Sequence, residues 1–178
     1  MLIFLSIIRG APIGHFKNWD REDWIRAINE NMLTSIEMIK AVIDSMVSKK
    51  FGRIVNITSG SVKSPIPELG LSNGARSGLT GFVAGIAKEY AQYNVTINNL
   101  LPGQFNTARI EALIEKRAKE NGITSQELRA KLEKENPSKR LGEIGEFGVA
   151  CAWICSTHSG YQVGQNILID GGRFNSTF

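Results

Sequence analysis

Residues 53–76 read RIVNITSGSVKSPIPELGLSNGAR. Arg53–Ile57 is short, apolar and β-branched, and Thr58-Ser59 follows it as a hydroxyl pair, so the run reads as a buried strand that ends in polar side chains. Pro65 and Pro67 hold the next residues in a loop. A second long helix is expected over roughly 72–92, with Leu79, Phe82, Val83, Ile86 and Tyr90 on one face. Strand, polar loop, long helix is the unit from which parallel sheets are built.

The same alternation extends in both directions. The opening MLIFLSII reads as a buried strand, being too short to span a bilayer and lacking a basic leader or a small-residue cleavage site. After a loop, GAPIGHFKNWD, Asp20 is placed as a helix N-cap with Asp23 three residues on. Ile28, Met32, Ile36, Ile39, Ile43 and Met46 then recur every three or four residues, which predicts one helix over 20–48, stopped by Gly52. Val95–Leu100 reads as a strand closed by Pro102-Gly103. A charged two-helix excursion follows over 108–136, with Gly122 as its break and Thr124–Glu127 as a capping box. Glu143–Ser156 is expected to be helical, Asn166–Ile169 a strand, and Asp170-Gly171-Gly172 a turn. The fold class implied is α/β, with one parallel sheet covered on both faces and a cleft beyond the carboxyl ends of its strands.

Composition narrows the classes of function. With 178 residues, 42% hydrophobic and 21% charged, the chain is an ordinary single globular domain. Its net charge of +4 is spread through helices such as EKRAKE (115–120) and LRAKLEKE (128–135), where acids alternate with bases. That pattern reads as solvated helix faces and excludes a nucleic-acid stripe, while leaving room for an anionic cofactor or an acyl-carrier partner. Cys151 and Cys155 sit within the apolar run VACAWICS and read as core thiols in a reducing cytoplasm. No metal site is expected, since His15 and His158 offer no recognisable ligand spacing.

Several motifs in order resemble the short-chain dehydrogenase/reductase family, and the 3-oxoacyl-carrier-protein reductases within it. Asn31 aligns with a helix asparagine that holds a water in the family's proton relay, and Ser59 with the serine that binds the substrate carbonyl. Asn98-Asn99-Leu-Leu-Pro102-Gly103-Gln-Phe-Asn-Thr107 looks like the N-x-x-x-PG-x-x-x-T signature that faces the nicotinamide. Pro137–Gly142 with Glu143 and Glu146, and Gly164-Gln165 through Asp170-Gly171-Gly172, are similar to the family's closing segments. The resemblance spans about residues 3–172. It implies a Rossmann-like doubly wound sheet and NAD or NADP as cofactor, with a small carbonyl or hydroxyl compound as substrate. Catalytic positions would be Asn31, Ser59, Ser72 and Arg76, and cofactor contacts Arg76, Pro102, Gly103 and Thr107. It further implies pairing with a second copy or a paralogue through helices 20–48 and 72–92.

Two departures stand out. Ser72 occupies the place of the family's tyrosine and Arg76 that of its lysine. An aliphatic hydroxyl is a far weaker acid than a phenol, and a guanidinium is a rigid fork where an ammonium is a point charge. Ser72 reads equally well as a helix N-cap, and Arg76 as a surface or anion-facing side chain. The glycine-rich phosphate turn of the family is also absent, because Gly70, Gly74, Gly78 and Gly81 lie in or beside a helix. Ser6-Ile7-Ile8-Arg9 replaces the turn that normally ends the fourth strand, and Gly10-Ala11-Pro12 resembles its continuation. Residues 1–178 therefore read as a single C-terminal portion of a Rossmann-like domain that lacks the first two βα units. Two classes remain open: an oxidoreductase, or a non-catalytic relic or partner subunit.

Overall fold

The computed structural model describes residues 11–176 and, as backbone alone, 3–7. The altered turn at Ile8-Arg9 and the glycine at position 10 lie outside the described residues. Four strands, β1 (Ile3–Ile7), β2 (Gly52–Ile57), β3 (Val95–Pro102) and β4 (Asn166–Ile169), form one sheet in the order β1-β2-β3-β4. Every pairing is parallel. The expected α/β architecture is present.

Between β1 and β2 lie α1 (Arg21–Ile28), a π turn (Asn29–Leu33) and α2 (Thr34–Ser48). Helix α3 (Gly70–Tyr90) links β2 to β3. Helices α4 (Ala108–Asn121), α5 (Ser125–Glu135) and α6 (Ile144–Ile154) precede β4. Strand alternation sorts the core into two layers. Ile54, Val95 and Ile97 meet Ile39, Ile43 and Met46 of α2 and Leu79, Val83 and Ala87 of α3. Val55 and Leu100 meet Ile154 and Cys155 on the other face. Leu79 and Val83 are fully buried, and each such side chain contributes roughly 1.5–3 kcal/mol.

The capping expectations hold. Asp20 and Asp23 exchange backbone and side-chain hydrogen bonds at the start of α1, as do Thr124 and Glu127 at the start of α5. Gly122 ends α4 in a left-handed conformation (φ 66°). The helix over 20–48, however, is not uniform. Thr34 sends both its backbone N–H and its hydroxyl to the Asn29 carbonyl, which makes the π turn. Ala27, Asn31, Ser35, Ile39 and Ile43 are buried at four-residue intervals, and Met46 follows three residues on. Along a plain α-helix each such step overshoots a turn by about 40°, and the wider π turn offsets that drift. Ile28, from the expected apolar face, is 37% exposed for this reason.

Two further expectations change. Gly52 is the first residue of β2, not a helix stop. The helix ends at Ser48 with Lys49 as its cap, and Lys50 turns the chain with φ 50°. A Cβ at Gly52 would stand 2.5 Å from the Met46 sulfur, so packing against α2 explains the glycine. Ser72 is not an N-cap, because α3 begins two residues earlier, at Gly70. Gly70, Gly74 and Gly78 lie within α3, where a Cβ would crowd Trp19, Trp24 and Met32 respectively.

Candidate active site at the carboxyl ends of β2 and β3

Ser59 lies two residues beyond the carboxyl end of β2 and caps the short 3-10 turn Gly60–Val62. Its Oγ accepts from the Ser61 N–H at 3.1 Å and from the Ser61 hydroxyl at 2.9 Å. The turn stands against the end of β3: a Cβ at Gly60 would be 3.2 Å from the Pro102 carbonyl oxygen and 3.8 Å from Gly103 Cα. The Thr58 N–H donates to the Leu100 carbonyl at 2.9 Å, locking the two strand ends together. Ser59 and the Pro102-Gly103 corner therefore share one edge of the sheet, as the spacing suggested.

Gly103 approaches the end of β4 so closely that a Cβ would lie 2.6 Å from that of Asp170. Thr107 caps α4, its Oγ1 accepting from the Ile110 N–H at 3.3 Å. A hydroxyl keeps its own proton to donate. Downstream, Arg140 holds Glu146 through two contacts of 2.7 and 2.6 Å, and the Glu143 N–H adds a third. The guanidinium comes first among the causes that pull the Glu146 carboxyl down to about 2.

Arg76 departs most from the sequence reading. It is 5% exposed, so it is neither a surface side chain nor one turned to solvent. Its Nε donates to Ser72 Oγ at 3.0 Å, and its Nη1 donates to the carbonyls of Ile57 and Thr58 at the end of β2. Burial pushes its pKa down to about 10, and the like charge of Arg109 pushes the same way. Ser72, 7% exposed, is the acceptor in this arrangement.

Asn31 is fully buried in the π turn, which packs against α3. Its Nδ2 donates to the Ala27 carbonyl at 3.2 Å, and its Oδ1 finds no donor among the described residues. Reading the sequence also missed a ladder of amides. Asn56, Asn99 and Asn166 stand in register on three neighbouring strands and hydrogen-bond in series at 3.1 and 2.8 Å. Arg109 and Ser61 were missed as well, and only the Ser-x-Ser spacing gave a signal for the second.

This order of elements and strand-end residues has counterparts among known proteins. The family model described as enoyl-(acyl carrier protein) reductase matches residues 4–173. The chain belongs to the short-chain dehydrogenase/reductase family. It is 33% identical over 159 residues to an acetoacetyl-CoA reductase of Cupriavidus necator, covering 88% of this chain and 59% of that protein. It is 32% identical over 157 residues to the 3-oxoacyl-[acyl-carrier-protein] reductase FabG of Haemophilus influenzae, covering 87% and 60%. The crystal structure of YwfH, an NADPH-dependent reductase involved in bacilysin biosynthesis, superposes with a TM-score of 0.92 at 27% identity, covering 99% of this chain and 68% of that one. The chain thus spans about 60% of the length of these two curated relatives. No described helix is long and apolar enough to cross a membrane.

Proposed function

We propose that this chain is the substrate-side portion of an NAD(P)-dependent oxidoreductase that interconverts a carbonyl and an alcohol, with residues 1–178 as the C-terminal part of the Rossmann-like domain. The observation that carries the reading is the shared edge of Ser59 and Pro102-Gly103 at the carboxyl ends of parallel strands. Ser59 would hold the substrate carbonyl, and the buried Asn31 Oδ1 suits a water donor in a proton relay. The relatives named above favour a 3-oxoacyl thioester as substrate.

The fit to a nicotinamide cofactor is partial. Pro102, Gly103 and the Thr107 hydroxyl would line its carboxamide side. Arg76 does not suit a ribose contact, since its Nε and Nη1 are turned onto protein acceptors. When bound, the cofactor supplies the hydride. This chain's own residues would orient the carbonyl and relay a proton, with Ser72 a poor donor because its hydroxyl is a weak acid already engaged with Arg76.

The buried Arg76–Ser72 contact also favours a second reading, a non-catalytic subunit that pairs with a second copy or a paralogue through α1–α2 and α3. Leu33 and Met38 are exposed on the first stretch, and Gly81 and Gly85 of α3 have open space beyond them. Free thiols at Cys151 and Cys155 suit a cytoplasmic setting. Fluorescence titration with NADH and NADPH, followed by NADPH oxidation in the presence of acetoacetyl-CoA, tests the first reading. Saturable binding with slow turnover is the expected result, and no binding of either nucleotide at millimolar concentration overturns it. Sedimentation as a stable monomer would remove the second.

A further inference from the structure

Ser72 and Arg76 are one helical turn apart on α3 and both are buried. The acceptors described for Arg76 are neutral: one hydroxyl and two backbone carbonyls. Those carbonyls belong to Ile57 and Thr58, the two residues that immediately precede Ser59. The guanidinium therefore grips the backbone that presents the Ser59 hydroxyl. Ser72 fixes the other end of the fork by accepting from Nε, so that Nη1 reaches the strand end.

We propose that Ser72 and Arg76 act as one coupled positioning unit, which holds the Ser59 turn in place and fills the volume that a larger side chain at position 72 would need. The two departures from the family pattern are then a matched pair. A short side chain at 72 leaves room for the guanidinium, and the guanidinium replaces a mobile ammonium with a fixed brace. Arg76 is a positioning residue, and its effect on any bound carbonyl runs through Ser59. The inference rests on the proposed function only for the role of Ser59, since the brace itself requires neither cofactor nor turnover.

Amide hydrogen exchange in the full chain tests it directly. The Ser61 and Val62 amides donate to Ser59 Oγ and the Ser59 carbonyl, so they report on that turn alone. Ser72→Ala and Arg76→Lys should each speed their exchange at least tenfold relative to Ile54 and Ile97 in the sheet. The double variant should be no faster than the faster single one. Ser72→Thr, which keeps the hydroxyl, should restore slow exchange. Ser72→Tyr should unfold at lower urea than wild type, and Ser72→Tyr with Arg76→Lys should recover part of that loss. Multiplicative effects in the alanine–lysine cycle, or unchanged Ser61 and Val62 exchange in Arg76→Lys, would overturn the proposal. If the tyrosine variants do not fold, that cycle decides alone. A failure to bind nucleotide would strike the proposed function and leave these readouts untouched.

Discussion

Two buried arginines stand at opposite ends of β2, and they solve the same physical problem differently. Arg53, 1% exposed, lies at the amino end. It donates to the carbonyls of Gly52, Asn94 and Ser156 and to Asn94 Oδ1, and it stacks 4.5 Å over the Phe51 ring. Arg76 lies at the carboxyl end, on the cleft side, and holds two carbonyls and one hydroxyl. The acceptors described for both are neutral, so dipoles converge on each buried guanidinium. Arg53 ties three separate segments together, namely β2, the turn before β3 and Ser156 just beyond the cap of α6. Arg76 ties one helix to one strand end. Acceptors on distant segments mark a brace of the whole fold, and described acceptors beside the site mark a local one.

Arg53→Met should have the largest effect. It removes four side-chain hydrogen bonds that join three segments, and a loss of about 3 kcal/mol is expected, read as a fall in the urea midpoint with loss of cooperativity. Arg76→Met should cost less, about 2 kcal/mol. Equal losses at the two positions would break the distinction between global and local brace.

A pH test sharpens the comparison. A base whose folded pKa is depressed carries its full penalty below that pKa and sheds it as pH rises towards the unfolded value. For Arg76 that window opens at about 10 and extends up to the ordinary arginine range. The stability difference between wild type and Arg76→Met should therefore shift in favour of wild type across this window, measured by urea titration at matched pH. The smallest effect concerns Cys155. Burial first, then Cys151, raises its thiol to about 11, while Arg53 pulls the other way. Alkylation by iodoacetamide at pH 8.5, followed by mass spectrometry, should label Cys151 at least tenfold faster. Comparable rates would show that the α6 side of the core opens readily.

Much of the fold could be read from local chemistry. Capping boxes at Asp20 and Thr124, the left-handed Gly122 and the short β-branched runs act over a few residues, and each appears where the sequence put it. Long-range contacts were not legible. Gly52 looked like a helix stop because glycine ends helices, yet its reason is a Met46 side chain six residues back across a turn. Arg76 read as a surface or anion-facing side chain because its carbonyl acceptors lie 18 and 19 residues away. Ser72 looked like a cap because serine favours caps, whereas the helix begins at Gly70 with no side-chain cap. At the site, residue types at strand ends were readable, whereas which of them would bond to one another was not.

The π turn between α1 and α2 has a consequence for which changes of length this helix can absorb. A π turn is an α-helix carrying one residue more than regular winding needs. Removing one residue from 29–33 would restore regular winding and turn α1 by about 100° against α2. Either Ala27 or Ile39 would then lose its buried setting, and Asn31 would swing away from α3. The stretch from Asp20 to Ser48 should therefore tolerate most substitutions on its exposed side chains better than the loss of a single residue.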